Sequence, residues 1–203
     1  MTRLFLVRHG QTLWNHTARY QGHTDIELSE TGRSQANALA QRLAKETIHA
    51  VYASDLKRAL ETAKILAAPH NLPVQTLTDL REINFGVWEG LTFDEIRRHY
   101  KDLADRWHVS PATVKIPEGE TFQEVKERAY KVILELVQKH DPGTIIVVTH
   151  GGTIRTIVCA LLGLDLNNAF RIRQDNGALN IIEFYEDYGI LCLLNDTTHI
   201  PVS

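Results

Sequence analysis

Two short apolar runs constrain this chain more than any other feature. Thr144–Thr149 (TIIVVT) is β-branched throughout and is bounded by Pro142-Gly143 on one side and Gly151-Gly152 on the other. Leu4–Val7 is equally apolar and is followed by Arg8-His9-Gly10. Runs of this length, rich in branched residues and closed by glycine, read as buried strands. Both are far too short to cross a bilayer, so no membrane association is expected. Each is followed by a histidine next to a glycine, and Leu4–Val7 adds an arginine before it. Charged or titratable groups at the ends of buried strands are costly unless something nearby requires them.

Between these runs the apolar spacing changes from two to about 3.6 residues. Ser29 to about Glu46 predicts a helix with Ala36, Leu39, Ala40 and Leu43 on one face, capped by Ser29 or Thr31. His49–Ser54 (HAVYAS) reads as a strand. Asp55 is expected to cap the helix after it, which carries Leu56, Leu60, Ala63 and Leu66. Pro73–Thr78 (PVQTLT) reads as a third strand. Thr92 to Glu95 and Thr121 to Glu124 both have the form of a capping box. The second opens a helix striped by Phe122, Val125, Ala129, Val132, Ile133 and Leu136. Thr153–Leu162 predicts a further helix, stopped at Gly163. ALNIIEFY and GILCLLN read as two final strands joined by a turn at Asp187–Gly189.

Strands alternating with helices predict an α/β fold: a mostly parallel central sheet flanked by helices on both faces. The 203 residues suit a single domain, 1–203. A net charge of −3 argues against nucleic-acid binding by phosphate neutralisation. Cys159 and Cys192 lie in apolar runs and read as buried free thiols, which fits a reducing compartment. With no apolar leader at the start, a cytoplasmic location is expected.

Ligands of such sheets bind beyond the carboxyl ends of the strands. That rim collects Arg8, His9, Arg58, Glu82 and His150 from separate stretches. The set suits a phosphate monoester. Arg8 and Arg58 would bind non-bridging oxygens through forked hydrogen bonds, with His150 adding another. The N–H groups of Gly151 and Gly152, opening a helix, would add an anion site. His9 would be the in-line nucleophile, its imidazole kept neutral by nearby positive charge. Glu82 would protonate the leaving oxygen, then act as base toward water. No cofactor is called for.

Each residue also has an ordinary reading. His9 suits a structural strand-end histidine, Arg58 a solvated helix residue, and Glu82 a salt-bridge partner of Arg81. His16, His23, His49, His70, His99, His108, His140 and His199 are read as structural, and Phe85 and Trp88 as packing. A metal site is not expected: the chain has no H-E-x-x-H and no paired cysteine ligands.

Six blocks in order, FLVRHGQTLWN, YQGHTDIELSETGRSQA, VYASDLKRALETA, LREINFGVWEG, PEGETFQEVKERA and VVTHGGTIR, resemble the histidine phosphatase superfamily in its phosphoglycerate-mutase-like branch. The resemblance runs from Leu4 to about Arg155. It implies a phosphohistidine at His9, a phosphate pocket of Arg8, Arg58 and His150, and Glu82 as proton donor. It further implies a phosphate contact from Asn15 and a substrate loop at Gln21 and Gly22. Cofactor-dependent mutases of the family carry a longer basic insertion after the glutamate block, and usually Tyr-Gly where this chain has Phe85-Gly86. The resemblance therefore points to a phosphatase of small phosphate esters. The leading specific expectation is α-ribazole-5′-phosphate, with phosphoserine or broad specificity as the alternative. The complete catalytic set argues against a phospholigand-binding pseudoenzyme. The segment at about 92–120, centred on Tyr100–Pro117, is expected to lid the pocket. A monomer or homodimer is expected.

Overall fold

The computed structural model describes residues 1–186 and 188–201. The chain begins with β1 (Thr2–Arg8), a one-turn helix α1 (Leu13–His16) and α2 (Glu30–Leu43). It continues through β2 (Ala50–Ala53), α3 (Lys57–Ala67) and β3 (Val74–Thr76). Then come α4 (Phe93–His99), α5 (Lys101–Val109), α6 (Phe122–Lys139), β4 (Gly143–Thr149) and α7 (Gly151–Leu161). The chain closes with β5 (Leu179–Phe184) and β6 (Gly189–Asp196).

The six strands form one sheet in the order β3-β2-β4-β1-β5-β6. β3, β2, β4 and β1 are parallel; β5 runs antiparallel to β1, and β6 to β5. The sheet is mixed and mostly parallel, as expected. The central strands β1, β2 and β4 are buried on both faces, which is why they are apolar without alternation. Successive residues still point to opposite sides. Phe5, Val7, Val51, Ala53, Ile146 and Val148 pack with Leu39 and Leu43 of α2 and Leu66 of α3. Leu4, Leu6, Tyr52, Ile145 and Val147 pack with the apolar stripes of α6 and α7.

This topology places β1 directly beside β4 although most of the chain separates them, with Arg8 level with Thr149. The His9 N–H continues the ladder to the Thr149 carbonyl at 3.0 Å. The ends of the two defining strands therefore meet, and the residues just beyond them are neighbours.

Several local expectations are corrected. Asp55 does not cap α3: Leu56 is the N-cap and has no side-chain capping bond. The Asp55 carboxylate instead takes a forked pair of bonds from Arg81. α7 begins at Gly151 rather than Thr153, because His150 is extended and the glycine pair forms the first turn. α2 is capped by Ser29 and ends at Leu43. The third strand shortens to Val74–Thr76. Cys159 is buried but Cys192 is exposed. β6 is the sheet's edge, and its face bearing Ile190, Cys192 and Leu194 is open. The turn expected at Asp187–Gly189 includes Asp187, which lies outside the described residues. Both capping boxes, at Thr92 and Thr121, form as read. Among the described residues no helix is long and apolar enough to cross a membrane.

The segment 92–120 sends part of its side chains into the core and leaves many exposed. Ile96, Ala104, Trp107 and Ile116 are buried in the cluster beneath α6. The Trp107 ring packs on Trp88 (5.3 Å between centroids), Phe170 (5.1 Å), Phe85 (6.0 Å) and Phe122 (6.1 Å). Replacing Trp107 with Ala is expected to cost about 3–5 kcal/mol of stability, read as a lowered denaturant midpoint. A loss under about 1 kcal/mol would show that this cluster does not hold α5 in place.

Candidate active site

His9 is 3 % exposed, at the carboxyl end of β1. Its Nδ1 lies 2.7 Å from the Gly10 carbonyl oxygen. A carbonyl can only accept, so Nδ1 carries the proton and Nε2 keeps its lone pair. The His150 ring, fully buried at the end of β4, lies 5.0 Å from the His9 ring between centroids. Neither of its nitrogens has a hydrogen-bond partner. Burial, then the charges of Arg58 and Arg8, hold His9 well below its usual 6.5. Burial, then Arg58 and His9, do the same for His150. Both imidazoles are therefore neutral near pH 7.

Arg8 closes β1, and its Nη1 donates to the Gln174 carbonyl. Arg58, in the first turn of α3, is fully buried. Its Nη2 donates to the Gly22 carbonyl at 2.7 Å and its Nη1 to that of Thr24 at 2.9 Å. The Nε of each is buried without a partner. Burial lowers each guanidinium to about 10, and nearby Glu82 opposes that, so both remain cations near neutrality. Arg58 buried and Arg8 half-buried, both held by carbonyls rather than carboxylates, are poorly compensated, and a dianion is the ligand that would compensate them.

Glu82 supplies the opposite charge at the start of α7. Its Oε2 accepts from Gly152 N–H, and its Oε1 from the N–H groups of Thr153 and Ile83, all at 3.0 Å. The helix N-terminus thus holds a carboxylate of the protein itself. Of the two amides assigned to a bound anion, that of Gly152 is taken by Glu82 and that of Gly151 is not. A Cβ at Gly152 would stand 2.6 Å from Oε1, so only glycine admits the carboxylate in this position. The ordinary reading of Glu82 as the partner of Arg81 fails, because Arg81 pairs with Asp55.

Arg8, His9, Arg58 and Glu82 line one cavity of about 200 Å³ together with Asn15, Gln21 and Gly22. His150 does not line it; its ring lies against that of His9, 5.0 Å between centroids. Asn15 sits in α1, and its Oδ1 accepts from Thr12 and from Asn176. The Gln21 Oε1 is buried and unpartnered. Gly22 has a φ of +54° and contributes its carbonyl to Arg58. A larger cavity, about 650 Å³, opens between α6 and the β5–β6 end of the sheet and contains none of these groups.

The outer wall comes from Ala18, Arg19, Tyr20 and Phe85, to which the sequence reading gave no role in the site. Tyr20 and Phe85 meet edge to face at 4.8 Å. Phe85, read as packing, does both: its ring lines the cavity and rests on Trp107. No residue of 92–120 lines the cavity, so that segment reaches it through Phe85. His23, read as structural, bonds the Glu82 carbonyl through Nε2 at 2.9 Å. Glu89 was also overlooked. Its carboxylate accepts the N–H groups of His23, Thr24 and Phe85 and so fixes the loop that presents carbonyls to Arg58. The YQGHTD and FGVWEG blocks were visible as motifs, but a role that depends on a backbone partner has no side-chain signature. Among the described residues no group of three or more His, Cys, Asp or Glu side chains is placed to hold a metal ion.

The chain matches the histidine phosphatase superfamily (branch 1) over residues 4–197. It is 36% identical to phosphoserine phosphatase 1 of Hydrogenobacter thermophilus over 200 residues, 98% of this chain and 95% of that one. The solved structure of YhfR from Bacillus stearothermophilus superposes with a TM-score of 0.94 at 34% identity, covering 99% of this chain and 100% of the other. The α-ribazole phosphatase of Shigella flexneri superposes with a TM-score of 0.87 at 28% identity, covering 99% of each. The match spans the strand ends that carry His9 and His150, the α3 start that carries Arg58 and the loop that carries Glu82; this chain is a phosphatase belonging to the histidine phosphatase superfamily.

Proposed function

We propose that the protein hydrolyses a small phosphate monoester in two steps through a phosphohistidine at His9. The observation that carries this reading is the pairing of a neutral nucleophile with uncompensated positive charge. His9 Nε2 has its lone pair free because Nδ1 is committed to Gly10, and Arg8 and Arg58 face the same small cavity. In the first step Nε2 attacks phosphorus in line and the ester P–O bond breaks. The two guanidiniums and His150 stabilise the equatorial oxygens, where charge accumulates. Glu82, protonated on one oxygen, gives that proton to the departing alkoxide. Oε2 accepts one N–H, from Gly152, so it keeps a lone pair to carry the proton. In the second step the Glu82 carboxylate takes a proton from water, which attacks phosphorus. The P–N bond breaks and phosphate leaves, with Nε2 again neutral.

The alcohol half is small. A cavity of about 200 Å³ suits a phosphate together with a serine-sized group. The phosphoserine phosphatase among the relatives supports the same choice. We therefore rank phosphoserine first. A nucleoside-type ester such as α-ribazole-5′-phosphate is the second reading, favoured by the aromatic edge that Tyr20 and Phe85 present at the cavity mouth.

A phosphate-release panel tests both: phosphoserine, α-ribazole-5′-phosphate, 3-phosphoglycerate and p-nitrophenyl phosphate, with EDTA present. Phosphoserine is expected to give the highest kcat/KM, and His9→Ala to lose at least ~10³-fold on every ester. Preference for the nucleoside ester would select the second reading. Turnover retained by His9→Ala would reject the mechanism.

The buried histidines also predict a pH effect on stability. His9 and His150 titrate well below 6.5 in the folded chain and at about 6.5 when unfolded. Below 6.5 the unfolded state therefore binds more protons, and stability falls as the pH drops through that value. The melting temperature, measured without phosphate from pH 8 to 5, should fall on the acid side. The fall should be shallower in His9→Asn and shallower again with His150→Asn. An unchanged slope in both would show that the imidazoles are not held neutral.

A further inference from the structure

The PEGETFQEVKERA block carries none of the chemistry above, yet its charged residues are not idle. Arg128 lies in the second turn of α6 and does not line the active cavity. Its Nη1 donates to the carbonyl oxygens of Asp79 (2.7 Å) and Arg81 (2.8 Å), and its Nη2 to that of Glu82 (2.9 Å). One guanidinium thus gathers three carbonyls from the loop that presents Glu82. Glu120 fixes the guanidinium in turn, accepting from Nε and Nη2 at 2.9 Å each. Burial pushes the Glu120 carboxyl up, but the bonds and charge of Arg128 outweigh it and hold the group below its usual range. Glu120 also accepts the Asn84 N–H at 2.9 Å, so the pair brackets the loop on both sides of Glu82. His23 adds a second bond to the same Glu82 carbonyl.

Five donors in a rigid plane can serve three carbonyls and a carboxylate together; an ammonium cannot hold that arrangement. A proton donor must lie within hydrogen-bond reach of the leaving oxygen, and small displacements of a catalytic group are expensive. The Glu82 side chain has its own contacts at α7, but its backbone is anchored from α6. We propose that Arg128 is a positioning residue for Glu82, and that its clamp on the 79–82 carbonyls sets the efficiency of proton donation to the leaving group. The proposal rests on the reading of Glu82 as the acid.

The test is a leaving-group series, from p-nitrophenyl phosphate to simple alkyl phosphates, measured as kcat/KM for wild type, Glu82→Gln, Arg128→Lys and Arg128→Gln. Folding is checked by circular dichroism, and the conclusion is drawn from the Lys variant if the Gln variant does not fold. Glu82→Gln is expected to lose about 10²-fold or more on alkyl esters and far less on p-nitrophenyl phosphate, whose leaving group needs no proton. Arg128→Lys keeps the charge but not the fork, and should show the same selectivity at about tenfold to a hundredfold. Selectivity in Glu82→Gln with a uniform loss, or none, in Arg128→Lys would overturn the clamp and leave the acid assignment intact. Absence of selectivity in Glu82→Gln would overturn the acid assignment, and the clamp with it.

Discussion

Two guanidinium groups, one buried and one half-buried, with no carboxylate bonded to either, set the terms for this site. Arg8 and Arg58 sit where desolvation lowers each to about 10, and their fixed partners are the carbonyls of Gln174, Gly22 and Thr24. A cation so held is stable only because the fold overdetermines its place: one ends a central strand and the other opens a helix. Their field, added to burial, keeps His9 and His150 neutral. The nucleophile and the dianion receptor of the proposed mechanism thus come from the same arrangement. Bound phosphate would complete the charge balance that the protein leaves open.

The loops around that charge are wired through backbone atoms. Glu89 holds the amides of His23, Thr24 and Phe85, and the carbonyls of that same loop hold Arg58. Arg128 holds the carbonyls of Asp79, Arg81 and Glu82. In each case a long charged side chain outside the reacting centre fixes a segment outside the α-helices and strands. Such segments are otherwise the mobile parts of a fold. Glu82 and the Gly22 and Thr24 carbonyls are therefore held in place although they lie outside helices and strands.

Much of this was legible in the sequence because it rests on residue type and period. The strand runs, the capping boxes at Thr92 and Thr121, and the stripe of α6 follow from local chemistry. The meeting of Arg8, His9, Arg58, Glu82 and His150 follows from where parallel strands end. What could not be read depends on partners distant in sequence. Asp55 had the right position to cap α3, but Arg81 offers it a forked ion pair, which outweighs a single capping bond. Phe85 was read as packing, and it is; its second face lines the cavity only because Trp107 supports the first. Cys192 follows an apolar pattern that resembles burial, but nothing in an apolar run tells a central strand from an edge.

The most direct test of the account is to trap the covalent intermediate. A brief reaction with ³²P-labelled substrate, quenched in alkali and mapped by mass spectrometry, should place an acid-labile, base-stable phosphoryl group on His9. Its attachment should be at Nε2, because Nδ1 is held by Gly10. A phosphoryl group on another residue, or turnover with no labelled enzyme at any time, would contradict the assignment of His9 as the phosphate carrier.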